Sequence, residues 1–146
     1  MPPWAATKPA PPAHVRRSAN PGAHRLLRED CVKWLTEMSS SPSPPQFDLI
    51  LCDPPSFSHS KKMEGVLDVK RDHVALIRQC MALLAPGGML YFSTNRRGFH
   101  LDKEALAELK IADITVQTLD EDFRRPPPAH KCWRITAGHD TPPTAP

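Results

Sequence analysis

The feature that most restricts the fold of this 146-residue chain is the apolar run FDLILC at Phe47–Cys52, which stops at Asp53-Pro54-Pro55. The run has the length of a strand, and an almost continuous apolar run is typical of a strand buried on both faces of a parallel sheet. Neither proline has a backbone N–H to donate, so the strand has to end there. We therefore expect a buried strand with an acidic residue directly after it.

Helical and strand-like patterns alternate along the chain. Apolar residues recur at helical spacing between Asp68 and Leu84, and the sequence APGG at 85–88 then ends that helix. Shorter patterns predict strands at 24–30, 89–95, 114–119 and 132–137 and helices at 31–38 and 102–110. This alternation indicates an α/β fold with a mostly parallel sheet and helices on both of its faces.

Composition limits the domain organisation and the setting in which the protein works. Of the 18 prolines, six lie in the first 21 residues and three in the tail TPPTAP, so we predict disordered segments at 1–22 and 139–146 around one domain at 23–138. The net charge is only +3, so a local basic surface would have to carry any binding of nucleic acid. Because the sequence has neither a membrane-spanning run nor a signal-peptide pattern, we expect a soluble, cytoplasmic protein.

The cysteines and histidines do not show the spacing of a metal site. The four cysteines are far apart and form no CxxC pair, and the seven histidines form no HExxH motif. Three of the cysteines lie among apolar residues, which favours buried free thiols over disulfides or metal ligands. We expect no bound metal.

The two strands expected at the centre of the sheet end in Asp53 and Asn95. In an α/β sheet, ligands bind beyond the carboxyl ends of the strands, so the loops after these two strands are expected to face one crevice. The basic residues of these loops are Lys61, Lys62, Arg96 and Arg97. They are candidates for binding RNA phosphates, and the alternative is that they are ordinary solvated surface residues.

The sequence Asp53-Pro54-Pro55 has two interpretations. It can be a turn that terminates the strand, since proline suits a turn and an aspartate can accept hydrogen bonds from backbone amides. It also suits the wall of a base-binding site, because two prolines hold the backbone rigid and Phe57 offers a ring on which an unpaired base can stack. Such stacking contributes about 1–3 kcal/mol per base.

These residues resemble a known family. The sequence DPPSF is similar to the Asp/Asn-Pro-Pro-aromatic loop of S-adenosylmethionine-dependent methyltransferases that act on nucleobase nitrogens. With LLAPGGMLYFSTNRRGF and the ending HKCWRIT, it resembles the C-terminal methyltransferase half of the bifunctional bacterial 23S ribosomal RNA guanine methyltransferases K/L, over about 24–137. The resemblance implies part of a Rossmann-like class I methyltransferase sheet, S-adenosyl-L-methionine as cofactor, and guanine N7 in 23S ribosomal RNA as the methylated atom.

The resemblance also implies roles for particular residues. Asp30 and Cys31 would lie near the adenine of the cofactor, although Asp30 is equally suited to cap the helix that follows it. The residues implied to lie beside the methyl group and the target base are Asp53, Pro54, Pro55 and Phe57, with Asp53 also near the cofactor. Asn95 and the four basic residues would contact the RNA.

The expected chemistry agrees with these residue types. Guanine N7 carries an in-plane lone pair, so its methylation needs no prior loss of a proton and relies on alignment and electrostatics. Methylation of cytosine C5 requires a cysteine nucleophile, found in some relatives after the next strand, where this chain has FSTN at 92–95. A C5 activity is therefore not expected.

One part of the family pattern is missing from the sequence. The family binds its cofactor through a glycine-rich turn after its first strand, and none of the six glycines forms GxGxG or GxGxxG. We therefore expect a truncated domain whose strand at Phe47–Cys52 has a free edge, which binds S-adenosylmethionine weakly or not at all. A missing N-terminal half is the partner that would complete it.

Two other functions stay open. Asp-Pro-Pro-aromatic loops also serve exocyclic amines, so methylation of guanine N2 or adenine N6 in RNA is an alternative. The absent glycine-rich turn favours a function of a different class, that of a non-catalytic remnant that binds RNA or a protein partner. A further possibility is an inert, poorly folded product without function.

Overall fold

The computed structural model describes residues 26–58, 67–124 and 126–138. The elements of this part of the chain are α1 (Cys31–Ser39), β1 (Phe47–Cys52), β2 (Phe57–Ser58), β3 (Leu67–Asp68), α2 (Val69–Ala82), β4 (Leu84–Thr94), β5 (Leu109–Asp113) and β6 (Lys131–Ala137). Two short 3-10 helices, Val116–Thr118 and Glu121–Phe123, lie between β5 and β6. The segments 1–22 and 139–146, predicted to be disordered, lie outside the described residues.

Four of the strands form one sheet in the order β1-β4-β6-β5, and β2 and β3 form a separate antiparallel pair. β1 is parallel to β4, whereas β6 is antiparallel to both β4 and β5. The α/β class is confirmed, but the prediction of a mostly parallel sheet is wrong for the described strands. The chain between β5 and β6 forms 3-10 turns, and an antiparallel return needs no crossover helix.

Both described helices begin at an aspartate cap. The carboxylate of Asp30 accepts hydrogen bonds from the first turn of α1, and that of Asp68 accepts one from Lys70 N in α2. α2 ends at Ala82, so the sequence APGG does not itself end the helix and instead lies within β4. Position 88 has to be a glycine, because the Cβ of any other residue would lie 2.8 Å from the carbonyl oxygen of Ala85.

The hydrophobic core lies on one face of the sheet. α2 packs Ile77 and Cys80 against Leu90 and Phe92 of β4, and Leu35 of α1 joins the same cluster. On β1, Ile50 and Cys52 face this core. The described helices therefore both cover one face, and the expectation of helices on both faces is not met in the described part of the chain.

The opposite face of β1 is open. Leu49 and Leu51 are 61% and 73% exposed, because no described element packs on this side. The prediction that β1 is buried on both faces is therefore wrong for the described residues. β1 is also the last strand of the sheet, as expected, with no described strand paired to its outer edge.

Three predicted elements differ from the structure. Residues 26–30 form no strand, the segment 102–108 forms turns instead of a helix, and residues 114–119 contain a 3-10 turn. In the segment 102–108, tertiary contacts replace helical hydrogen bonds. Arg78 donates to the carbonyl oxygen of Ala105, and the amide of Asp102 donates to His73 Nε2. Local propensity is too small to resist such contacts.

None of the described helices is long and apolar enough to cross a membrane. Within the same residues, no group of three or more histidine, cysteine or acidic side chains is placed to bind a metal ion. All four cysteines are free thiols, of which Cys80 and Cys132 are buried and Cys31 is exposed.

Candidate active site

The loops that follow β1 and β4 are joined by side-chain contacts at the carboxyl edge of the sheet. Ser93 Oγ donates a hydrogen bond of 2.7 Å to Asp53 Oδ1, and Ser56 Oγ donates one of 3.1 Å to Asn95 Oδ1. Because β1 and β4 are parallel neighbours, their ends meet at the same edge. The described parts of both loops therefore lie at one edge of the sheet, and that they face one crevice stays a prediction.

A third contact joins the same two loops. The guanidinium carbon of Arg96 lies 4.2 Å from the centroid of the Phe57 ring, which is the geometry of a cation–π interaction. Phe57 as a whole is still 45% exposed, so part of this aromatic residue is accessible at the edge of the sheet. Arg97 is exposed beside it. Lys61 and Lys62, the other predicted RNA-binding residues, lie outside the described residues.

A cavity of about 470 Å³ is lined by Asp53, Pro54 and Pro55. Its walls are mostly apolar, with Leu35 and Ile50 among them, and Cys31 at the start of α1 also lines it. The volume falls within the ~300–1,000 Å³ range of small-molecule sites. The structure thus brings Cys31 and Asp53, two predicted cofactor-binding residues, to the same cavity.

Asp30 is positioned differently from its two companions. Its Oδ1 accepts hydrogen bonds from Val32 N at 3.0 Å and Lys33 N at 3.1 Å, so the side chain caps α1. Of the two interpretations of Asp30, the structure shows the helix cap directly. A second carboxylate, Glu29, lines the cavity and had no role in the prediction.

Cys52 is a packing residue rather than a nucleophile. Its side chain contacts the core beside Cys80. A hydrogen bond with the Cys80 thiol and burial together raise the pKa of Cys52 well above its ordinary value. A thiol is nucleophilic only as the thiolate, so this environment does not activate Cys52. Cys52 is therefore not placed as the nucleophile that methylation of cytosine C5 requires.

Sequence reasoning missed Ser93 and Ser56, the two hydroxyl donors that join the loops. The signal for Ser93 was present, because alternate residues of a strand point to the same side and Ser93 stands two residues before Asn95. Ser56 lies inside the DPPSF motif itself, but its partner is 39 residues away. No local pattern identifies such a partner.

Comparisons with known proteins relate this arrangement to one family. No protein-family model matches the chain. Curated relatives named "Ribosomal RNA large subunit methyltransferase K/L" are 50% identical over 112 residues in Allochromatium vinosum and 52% identical over 112 residues in Cellvibrio japonicus, in each case over 77% of this chain. The relative in Marinobacter nauticus is 46% identical over 118 residues, or 81% of the chain.

The chain is a homologue of one segment of these methyltransferases. It spans only 14–16% of the length of the K/L relatives named above. The predicted resemblance to the K/L methyltransferases is confirmed over this segment.

A solved structure supports the fold independently. SMU.776, described as a methyltransferase complexed with SAH, matches 73% of this chain and 30% of its own chain with a TM-score of 0.57. The sequence identity is 24%, so this likeness concerns the fold alone. Part of a methyltransferase-type α/β sheet is therefore the architecture that carries the two joined loops.

Proposed function

We propose that this chain forms the target-base side of an S-adenosylmethionine-dependent methyltransferase that methylates guanine N7 in 23S ribosomal RNA. The observation that carries the proposal is the set of contacts between the DPPSF loop and the loop after β4, in a chain that is 46–52% identical to K/L methyltransferases. What supports the proposal is that Asp53 and the partly exposed Phe57 contact Ser93 and Arg96 at one edge of the sheet. We further propose that the protein acts in the cytoplasm.

Each residue of the turn has a physical role in this proposal. Pro54 and Pro55 restrict the backbone, which limits the entropy lost when a base is ordered against it. Asp53, held by Ser93, keeps a negative charge next to the reacting atoms. Phe57 supplies the stacking surface that holds an unpaired base out of its helix.

S-adenosylmethionine would supply an electrophilic methyl group carried on a sulfonium sulfur. The residues around the cavity fit such a ligand, since the walls are apolar enough for an adenine ring and the carboxylates of Glu29 and Asp53 complement a cation. We assign Cys31 and Asp53 to the cofactor side. Asp30 is assigned to the cofactor side as well, through Oδ2, because Oδ1 is the oxygen that caps α1.

Catalysis by this chain's own residues consists of alignment and exclusion of water. Guanine N7 already has its lone pair in the plane of the ring, so no residue has to remove a proton before attack. In support, the described residues proposed for the crevice are a carboxylate, an amide and an aromatic ring, which suit the alignment of a base. Asn95, Arg96 and Arg97 are assigned to the RNA, as are Lys61 and Lys62 of the DPPSF loop's continuation.

Binding of the cofactor by the chain alone is expected to be weak. No glycine-rich turn of the kind that wraps the cofactor follows any strand in the sequence. The same feature favours the second candidate function, a non-catalytic RNA-binding protein. The two candidates differ in whether any methyl group reaches the RNA.

The proposal is tested by incubating the chain with ribosomal RNA that lacks the modification, at high S-adenosylmethionine concentration, and analysing the nucleosides by mass spectrometry. We expect a low yield of 7-methylguanosine that Asp53→Ala abolishes and Arg124→Gln, distant in sequence from both loops, leaves unchanged. N2-methylguanosine or N6-methyladenosine would contradict the assigned target atom. RNA binding without any methylated product would support the non-catalytic function instead.

A further inference from the structure

The contact between Arg96 and Phe57 does more than join two loops. Phe57 belongs to β2, a strand of two residues that, among the described strands, pairs with β3 alone, so few ladder hydrogen bonds between described residues hold its backbone. The Arg96 guanidinium covers one face of the ring at 4.2 Å. Phe57 as a whole is still 45% exposed, so part of the residue is accessible to a ligand.

Arg96 is not placed as a typical phosphate-binding arginine. Its Nε is buried and has no hydrogen-bond partner within the part of the chain that the structure describes. None of the salt bridges between described residues involves it. Its backbone N–H donates to Thr94 Oγ1 at 3.2 Å, which anchors the residue to the end of β4. Arg97 is the exposed neighbour, and a phosphate can reach it without displacing a contact.

We propose that Arg96 is a positioning residue that holds the Phe57 ring as a preformed stacking platform for an unpaired RNA base, while Arg97 serves the phosphates. This inference rests on the proposed function and deepens it. An exposed phenylalanine on a short strand samples several ring orientations, and ordering it on binding reduces affinity. The Arg96 guanidinium, whose Nε is buried and whose backbone is anchored to Thr94 at the end of β4, would limit that freedom before the base arrives.

The proposal predicts that Arg96 affects the contribution of the base and not that of the phosphates. The probe is a five-nucleotide RNA with one guanosine flanked by abasic riboses, compared with the same RNA in which all five riboses are abasic. Both probes carry the same phosphates, so the ratio of their dissociation constants for the 146-residue chain measures the base alone. Stacking should make the guanosine probe bind about 5- to 150-fold more tightly to the wild-type protein.

Arg96→Ala is expected to reduce this ratio at least threefold, toward the value for Phe57→Ala. Arg96→Lys keeps the charge but has no planar guanidinium, and we expect it to restore the ratio only in part. The matched control is Arg97→Gln, which should weaken both probes equally, leave the ratio unchanged, and reduce the salt dependence by about 0.7 in slope. Urea unfolding of each variant establishes that the fold is retained.

Several outcomes would overturn the inference. If Arg96→Ala weakens both probes equally, the residue binds phosphate. If Phe57→Ala lowers the ratio of dissociation constants to about one and Arg96→Ala leaves it unchanged, the platform needs no positioning residue. Only this inference is then lost. If the wild-type protein shows no preference for the guanosine probe, or binds neither probe, Phe57 is not a platform and the base-binding part of the proposed function is lost as well. Methyl transfer is not measured, so failure of the catalytic proposal leaves these results intact.

Discussion

Replacing Phe99 by leucine tests whether the loop that carries Arg96 and Arg97 is held in place by the aromatic core. Phe99 is fully buried, and its ring centroid lies 4.9 Å from that of His73 and 5.6 Å from that of Trp133. Its carbonyl oxygen also accepts a hydrogen bond of 2.6 Å from Lys131 Nζ. The residue thus ties the end of the loop to both α2 and β6.

The magnitude follows from what leucine removes. Each of the two closer aromatic pairs contributes about 0.5–1.5 kcal/mol beyond the area that it buries. Leucine also leaves part of the ring volume empty, which costs about 0.5–1.5 kcal/mol by analogy with the removal of small buried groups. We expect the free energy of unfolding to fall by about 1.5–4.5 kcal/mol, a large part of the ~5–15 kcal/mol that a domain of ordinary stability has.

The assay is urea unfolding followed by tryptophan fluorescence and by circular dichroism, so that one probe reports on packing and the other on secondary structure. Phe57→Leu is the matched control, since the same chemical change at an exposed ring should cost less than about 1 kcal/mol. A Phe99→Leu protein within about 0.5 kcal/mol of wild type would refute the reasoning. An equal cost for both variants would do so too, because burial would then not decide the effect.

Two further predictions concern carboxylates at helix starts. Asp30→Ala should lower the free energy of unfolding by about 0.5–2 kcal/mol while Asp30→Asn leaves it nearly unchanged, because asparagine also caps helices; equal losses in urea unfolding would contradict the cap. At Asp72, the hydrogen bond from the Arg71 guanidinium holds the pKa of the carboxyl below its ordinary value. A carboxyl whose pKa is lowered by folding stabilises the folded state at pH values above its unfolded pKa of about 4. This contribution is lost as the pH falls through the folded pKa. The free energy of unfolding of the wild type should exceed that of Asp72→Asn by at most about 1 kcal/mol at pH 7, and this difference should shrink below about pH 4. Unfolding curves measured from pH 7 to pH 2.5 test this. A difference that does not depend on pH would contradict the prediction.

The central part of the fold could be predicted because its signals are local. The apolar run at Phe47–Cys52, the helical spacing after Asp68 and the apolar residues before Asn95 each identify an element within a few positions. Prediction failed where distant residues decide the local structure. Residues 102–108 have a helical composition, yet Arg78 and His73 of α2 bind their backbone and hold them as turns.

The candidate site shows the same division. Asp53, Phe57, Asn95 and Arg96 were identified from their positions at strand ends, and the structure brings all four to one edge of the sheet. That Asp30 caps α1 was one of two open interpretations, and only the geometry of its carboxylate separated them.

The sequence by itself determined where the strands at the centre of the sheet end and which polar and aromatic residues follow them, because strand length, proline and side-chain alternation act over a few residues. The tertiary structure alone decided how those residues are used. It joined Asp53 to Ser93 and placed Arg96 over Phe57 across about 40 residues of chain, contacts that depend on β1 and β4 lying side by side. The Asp53-Pro54-Pro55 turn therefore both ends β1 and lines a cavity, and the contacts of Asp53 and Phe57 with Ser93 and Arg96 exist only once the parallel pair has formed.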